Sequence, residues 1–319
     1  MKDHAAFGRH VGWRRKRLMP TYSRYASMGA SGVESATMNL HAYLDRIGFT
    51  GQPEPTLNCL QAIHHAHPLA IPFENLDSFL GQPVHLAPEH VFDKLVTQGR
   101  GGYCFEQNRL LANALADIGF NVTTHAARVV WHGLDKQAMP RTHKLLKVHI
   151  DGSDYIADAG FGGLTMTAPV SLVPGVSQAS PHENFRIDNE DEYYRISAQL
   201  GSDWKSMYLF DLSTYIAPDF ELANYYVSTH PESRFVHHLV AARPFRNGRH
   251  ALLDNHYTKY SRDGQKTEKV IADPDELMAL LMDIFKINLD SVDRTALQTR
   301  LAGIISRAPE AAEQAENPA

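Results

Sequence analysis

An α+β fold, with helices gathered in the first third of the chain and strands after them, is what this sequence predicts. Three observations carry the prediction. Apolar residues recur at helical spacing as far as Gly119. From Val122 the pattern changes to short strand-like runs broken by Asp-Gly and Gly-Ser turns. With 319 residues, 43% of them apolar, the chain is long enough for a sizeable core and for two or three domains.

Leu40, Tyr43, Leu44 and Ile47 mark the first helix, and Gly48 ends it. Thr56 caps a second helix bearing Leu57, Leu60 and Ile63. Pro88 opens a third, with Val91, Phe92, Leu95 and Val96 turned inward and Gly99 closing it. A fourth begins at Cys104 and carries Leu111 and Leu115 to Gly119. Strands are expected over Val122 to Trp131, Leu145 to Ile150 and Tyr155 to Ala157, with Asp151-Gly152 a hairpin signal between the last two. That hairpin sets His143 at the start of one strand and Asp158 at the end of its partner, so the two can meet. Tyr193 to Leu200 and Trp204 to Phe210, split at Gly201-Ser202, form another hairpin. Asp219 to Val227 reads as helix, Phe235 to Ala242 and Ala251 to Tyr260 as strand, and Asp273-Pro274 starts a last helix through Phe285. No internal repeat has a solenoid period.

The formal charge of −5 argues against nonspecific nucleic-acid binding, although a local basic patch could still hold a phosphorylated ligand. The sequence has no run of about eighteen apolar residues, so no membrane helix is expected. Cys59 and Cys104 are too few for a disulfide framework and suit a reducing cytoplasm. The first 37 residues carry a net charge of +5, leaving −10 for the remainder. Arg14-Arg15 invites a twin-arginine export reading, but Leu18-Met19 runs into Pro20 with no apolar stretch. A disordered basic leader or an over-long start is the expectation for residues 1–37, with the folded protein beginning near Met38.

Cys104 lies in Arg100-Gly101-Gly102-Tyr103-Cys104-Phe105-Glu106-Gln107-Asn108, where two glycines lead into a cysteine that opens a helix. The free amides and dipole of a helix start favour thiolate. Thr142-His143 and then Asp158-Ala159-Gly160-Phe161-Gly162-Gly163 add an imidazole and a carboxylate, which makes an inventory of nucleophile, base and orienting group. The other reading of each residue is bland: a buried small hydrophobe for Cys104, one of 18 histidines for His143, a turn residue for Asp158. His125, His132 and His149 are alternative imidazoles, with His149 an exposed alternate on its strand. Gly160-Phe161-Gly162-Gly163 lacks the dinucleotide-binding spacing, and no Walker loop is present. His64-His65, His67 and His237-His238 lack the H-E-x-x-H spacing and any Cys cluster, so no metal site is expected.

These segments closely resemble the arylamine N-acetyltransferase family. The likeness extends through Tyr43 to Phe49, His67-Pro68, Ile71-Pro72-Phe73-Glu74-Asn75-Leu76-Asp77, Ala127 to Trp131, and Ser228 to Phe235, and so spans roughly residues 40 to 288. The resemblance implies an N-terminal helical bundle over residues 38–121, a central β-barrel over 122–218 and a C-terminal α/β lid over 219–305, followed by a flexible tail at 306–319. It implies a cysteine-protease-like triad of Cys104, His143 and Asp158 between the first two domains. Cys104 would take an acetyl group from acetyl-CoA as a thioester and pass it to an arylamine, hydrazine or arylhydroxylamine, with acetyl-CoA a substrate and no permanently bound cofactor.

By the same resemblance, Phe73, Val129, Phe161 and Phe235 line an acceptor pocket, while Thr142, Gly162 and Gly163 touch the coenzyme. Lys144 and Lys147 depart from the apolar strand usual after this histidine and suggest that one face of it reaches solvent. Rival readings keep the triad but change the chemistry: a cysteine acyl hydrolase or transglutaminase-like enzyme, or an amide synthase of the same family. A binding protein without catalysis is the reading from another class.

Overall fold

The computed structural model describes residues 38–133 and 139–307; the expected leader at 1–37, the tail from residue 308 and the His132 side chain lie outside what is described. Helix α1 (Leu40–Ile47) is capped by the Asn39 side chain and ends at Gly48 in the left-handed region. Thr56 accepts a hydrogen bond from the Cys59 amide at the start of α2 (Leu57–Ala70). After strand β1 (Phe73–Glu74) and the short α3 (Leu76–Phe79), α4 (Pro88–Phe92) runs into a π-helical stretch, Asp93–Thr97. Helix α5 (Cys104–Ile118) completes this part. Tyr43, Leu60, Ile63, Leu111 and Leu115 bury the shared face of α1, α2 and α5.

Strands β2 (Asn121–Val129), β3 (Arg141–Ile150), β4 (Ser153–Ala157), β5 (Val170–Ser171), β6 (Ser177–Ala179), β7 (Asn184–Glu190), β8 (Tyr193–Leu200) and β9 (Asp203–Phe210) follow. They form one antiparallel sheet in the order β5-β4-β3-β2-β9-β8-β7-β6. The sheet is nearly closed. Its edge strands β5 and β6 are joined by the Gln178 side chain, which accepts from the Ser171 amide at 2.7 Å and donates to the Ser171 carbonyl at 2.8 Å. A side-chain amide thus satisfies edge groups that a full ladder would otherwise pair.

Helix α6 (Ala217–Thr229) and the turn α7 (Arg234–His237) lead into β10 (Val240–Phe245), β11 (Gly248–Leu253), β12 (His256–Ser261) and β13 (Lys266–Val270). These strands and β1 make a second antiparallel sheet in the order β1-β10-β11-β12-β13. Helices α8 (Pro274–Asp283) and α9 (Arg294–Ile305) cover it through Leu277, Leu281, Leu297 and Leu301. Among the described residues no helix is long and apolar enough to cross a membrane.

Several boundaries differ from expectation for local reasons. The first long strand stops at Val129, because Gly133 closes a 3₁₀ turn back onto the Val130 carbonyl, and Trp131 stands in that turn. Phe235 lies in a helical turn instead of a strand, since Asn75 Nδ2 gathers the carbonyls of both Phe235 and His238 and bends the chain there. Asp254, at φ 54°, turns Ala251 to Tyr260 into two strands. Lys144 does not reach solvent: it is 2% exposed, with Nζ 4.7 Å from the centre of the Phe220 ring. Lys147, half-buried, pairs with Asp154 at 3.1 Å.

Candidate active site

The loop that delivers Cys104 is clamped from below. Gly102 donates to the Pro72 carbonyl at 3.2 Å and Glu74 donates to the Gly102 carbonyl at 3.1 Å, so the loop lies against β1. A Cβ on Gly101 would stand 2.2 Å from the Pro72 oxygen, a backbone atom, so a side chain there would force the clamp to shift. Arg100 donates to Glu74 at 2.8 Å and to Asp77 at 2.9 Å, and Lys94 from the π-helical stretch contacts Asp77 at 2.6 Å and Glu106 at 2.7 Å. Glu106 in turn accepts from the Tyr103 amide at 3.1 Å, capping the helix that Cys104 opens. Burial pushes the Glu106 carboxyl up to about 7 against the opposing pull of Lys94.

Cys104 Sγ lies 3.6 Å from the Thr142 carbonyl, at the edge of β3. His143, one residue further, puts Nε2 2.7 Å from Asp158 Oδ2. Nε2 is thereby engaged, and Cys104 interacts with the same imidazole. Burial alone would lower the His143 pKa, but the Asp158 carboxylate and then Cys104 outweigh it and carry the value to about 10. Burial likewise acts to raise Asp158, while His143, Asn108 and the Gly160 amide hold it below its ordinary value.

Asp158 follows directly on β4, which pairs with β3 through the Asp151-Gly152 turn, and this pairing brings carboxylate and imidazole together. Sequence reasoning missed how the carboxylate is held. Asn108 Nδ2 donates to Oδ1 at 2.8 Å and to the Lys144 carbonyl at 2.6 Å, while Asn108 Oδ1 accepts from the Ala159 amide at 3.0 Å. The signal was present, because Asn108 is one helical turn past Cys104 and shares its face. Tyr208, on β9, donates to Asp158 Oδ2 at 2.9 Å; only the three-dimensional order β3-β2-β9 places it there.

The remaining predicted residues fall into separate groups. Phe73 and Phe235 are in contact, ring centres 6.1 Å apart, in the apolar cluster that contains Cys104. Phe161 packs edge-on against His143 at 5.4 Å and belongs with Val129 to the barrel cluster. Thr142 presents its carbonyl to the sulfur. Gly163 lines a cleft of about 1300 Å³ bounded by Trp131, Arg195, Trp204, Arg249, Tyr260 and Arg262; Thr142 and Gly162 are not in that lining. His125 is engaged by Thr123 and the Ser213 carbonyl, and His149 pairs with Asp154 at the surface, so neither takes the place of His143. Among the described residues no group of three or more His, Cys, Asp and Glu is arranged to hold a metal ion.

A buried cysteine at a helix start, beside an imidazole held by a carboxylate, defines the class of cysteine-centred acyl-transfer folds. The family model for N-acetyltransferase matches residues 56–294, and the chain belongs to the arylamine N-acetyltransferase family. It is 40% identical over 278 residues to an arylamine N-acetyltransferase of Mycobacterium tuberculosis, covering 85% of this chain and 98% of that protein. A Salmonella typhimurium relative described as arylamine N-acetyltransferase / N-hydroxyarylamine O-acetyltransferase is 37% identical over 274 residues, covering 85% and 96%. The solved Mycobacterium marinum arylamine N-acetyltransferase in complex with CoA superposes with a TM-score of 0.81 at 36% identity, over 83% of this chain and 99% of that one.

Proposed function

We propose that this chain transfers an acetyl group from acetyl-CoA to arylamines, hydrazines or arylhydroxylamines by a ping-pong cycle through a thioester on Cys104. The observation that carries the reading is the buried His143 Nε2 to Asp158 Oδ2 contact of 2.7 Å beside Cys104. With Nε2 held by the carboxylate, the other ring nitrogen is left to exchange a proton with sulfur.

In the first half-reaction the Cys104 thiolate attacks the acetyl carbonyl of acetyl-CoA. The tetrahedral adduct expels coenzyme A as a thiolate, which takes the proton from His143 imidazolium. In the second, an amine attacks the Cys104 thioester and gives its proton to the now neutral His143, and Cys104 leaves as thiolate. The cycle thus restores the ion pair it began with. Because attacking and leaving groups in the first step are matched thiolates, little free energy is lost in the intermediate.

The coenzyme reading is supported by the CoA complex of the M. marinum relative and by the cleft beside Gly163. Lys205 and Arg262 line it with Trp131 and Trp204, cations and rings suited to phosphates and a flat base, while Arg195 and Arg249 in the same lining pair with Glu190 and Glu183. Phe73 and Phe235 are assigned to the acceptor side. Two cysteines without a disulfide fit a cytoplasmic setting.

The test is coenzyme A release from acetyl-CoA with and without a simple arylamine, beside Cys104→Ala. Release of about one equivalent per Cys104 without amine, with continued turnover only when the amine is added, supports the cycle; sustained turnover without amine would replace transfer by hydrolysis.

A further inference from the structure

Tyr103 occupies the cap position of α5, where Ser, Thr or Asp usually serves, yet capping is done by Glu106. Its own side chain goes elsewhere. The phenol, on a residue only 1% exposed, donates to Asn224 Oδ1 of α6 and also meets the Ser228 side chain one turn further along that helix. Asn224 is itself 3% exposed and sits in mid-helix, where asparagine is a poor helix former. Its Nδ2 donates to the Val84 carbonyl at 2.9 Å. A carbonyl can only accept, so the amide orientation is fixed and its oxygen must face Tyr103.

The Tyr103 ring meets Phe235 edge-on at 5.7 Å and Phe105 at 5.7 Å, and Phe235 leans on Phe73. The backbone of Tyr103 is secured independently. Its amide donates to Glu106, and its carbonyl accepts from the amides of Glu106 at 3.0 Å and Gln107 at 2.9 Å. Ring and backbone therefore have different anchors: α6 holds the ring, α5 holds the backbone that carries Cys104.

We propose that Tyr103 and Asn224 are a positioning pair that fixes the Phe235 and Phe73 wall beside Cys104 and so sets which aromatic rings reach the sulfur, while reactivity of the sulfur rests with His143 and Asp158. The inference rests on the acetyl-transfer reading for the identity of the aromatic ligand. It deepens that reading by naming residues that select the acceptor, and neither residue touches the reacting atoms.

The experiment compares alkylation of Cys104 in the full chain by iodoacetamide, which is small, and by 2-bromoacetanilide, which carries an aryl ring. Tyr103→Phe removes only the hydroxyl, and Asn224→Leu removes the acceptor at similar volume. In each variant the iodoacetamide rate and its pH profile should stay within about twofold of wild type, while the bromoacetanilide rate falls about tenfold, the size expected for one buried hydrogen bond. The double variant should lose no more than the worse single one. Equal slowing of both reagents would make the pair merely structural, and unchanged selectivity in Tyr103→Phe would overturn the proposal even if Asn224→Leu failed to fold. Alkylation needs no acetyl-CoA, so a wild-type chain that released no coenzyme A would sink the transfer reading without deciding this one.

Discussion

Tyr208 and His143 share one oxygen of Asp158: the phenol donates to Oδ2 at 2.9 Å, and His143 Nε2 lies 2.7 Å from the same atom. The Tyr208 ring also packs on the imidazole, ring centres 4.8 Å apart. Tyr208→Phe removes the donor and keeps the ring. A buried carboxylate that loses one of its donors should cost about 1–3 kcal/mol in a urea titration, with the rate falling by roughly tenfold or less because the His143 bond persists. A loss as large as that of Cys104→Ala would mean that the phenol itself moves a proton in the reaction.

Asp158→Asn tests the tautomer. Asn108 and the Gly160 amide both donate to Oδ1, so an asparagine would keep its oxygen on that side and turn its amide toward His143. Nε2 would then have to accept, leaving the proton on the nitrogen needed by sulfur. Coenzyme A release should fall by roughly a thousandfold or more, with the circular dichroism spectrum retained. Wild-type rates in this variant would refute the role given to Asp158.

Gly160 closes the site by approach distance. A Cβ there would stand 2.7 Å from Cys104 Cα and 3.0 Å from Asn108 Nδ2. The first neighbour is backbone and cannot swing aside, so Gly160→Ala should destabilise by about 1–3 kcal/mol and separate Asp158 from the helix that orients it. Gly303→Ala is the matched control. That glycine is inside α9 with nothing within 4 Å of its Cβ position, so alanine should raise the melting temperature slightly through helix propensity. A Gly160→Ala protein as stable and active as wild type would show that the loop has room to retreat.

Local signals explain what was legible in the sequence. Thr56, Gly48 and Gly119 delimit helices because caps act within a few residues, and Asp151-Gly152 sets the β3-β4 register that joins His143 to Asp158. Strand β13 escaped notice because all five of its residues are exposed, leaving no apolar alternation to read. Helix α9 was missed although Asp293 caps it and Leu297, Leu301 and Ile304 are buried at helical spacing. Tyr208 and Asn224 could not be found by pattern, since each reaches its partner across more than one element: β9 lies three strands from β4, which Asp158 follows, and Asn224 is 121 residues from Tyr103. Lys144 misled for a related reason. Its charge read as solvent exposure, whereas the ring of Phe220, brought by α6, covers it.

The ionic state of the pair makes stability depend on pH. His143 is carried from 6.5 to about 10, the Asp158 and Cys104 contributions outweighing burial. The folded chain therefore keeps a proton that the unfolded chain releases. This contribution is fully present below about pH 6.5, weakens as pH rises, and is gone once pH passes about 10. The slope is at most about 1.4 kcal/mol per pH unit. Asp158, with its value depressed, gives the opposite flank: its contribution is present above its ordinary pKa and is lost as pH falls through the folded value. Urea unfolding of wild type and Asp158→Asn at pH 6, 8 and 10 isolates these terms from other titrations. The stability gap should be widest near pH 6 and narrow steadily toward pH 10. A gap that stays flat across that range would mean His143 is neutral in the folded protein, and Cys104 would then lack the imidazolium partner that the first half-reaction draws its proton from.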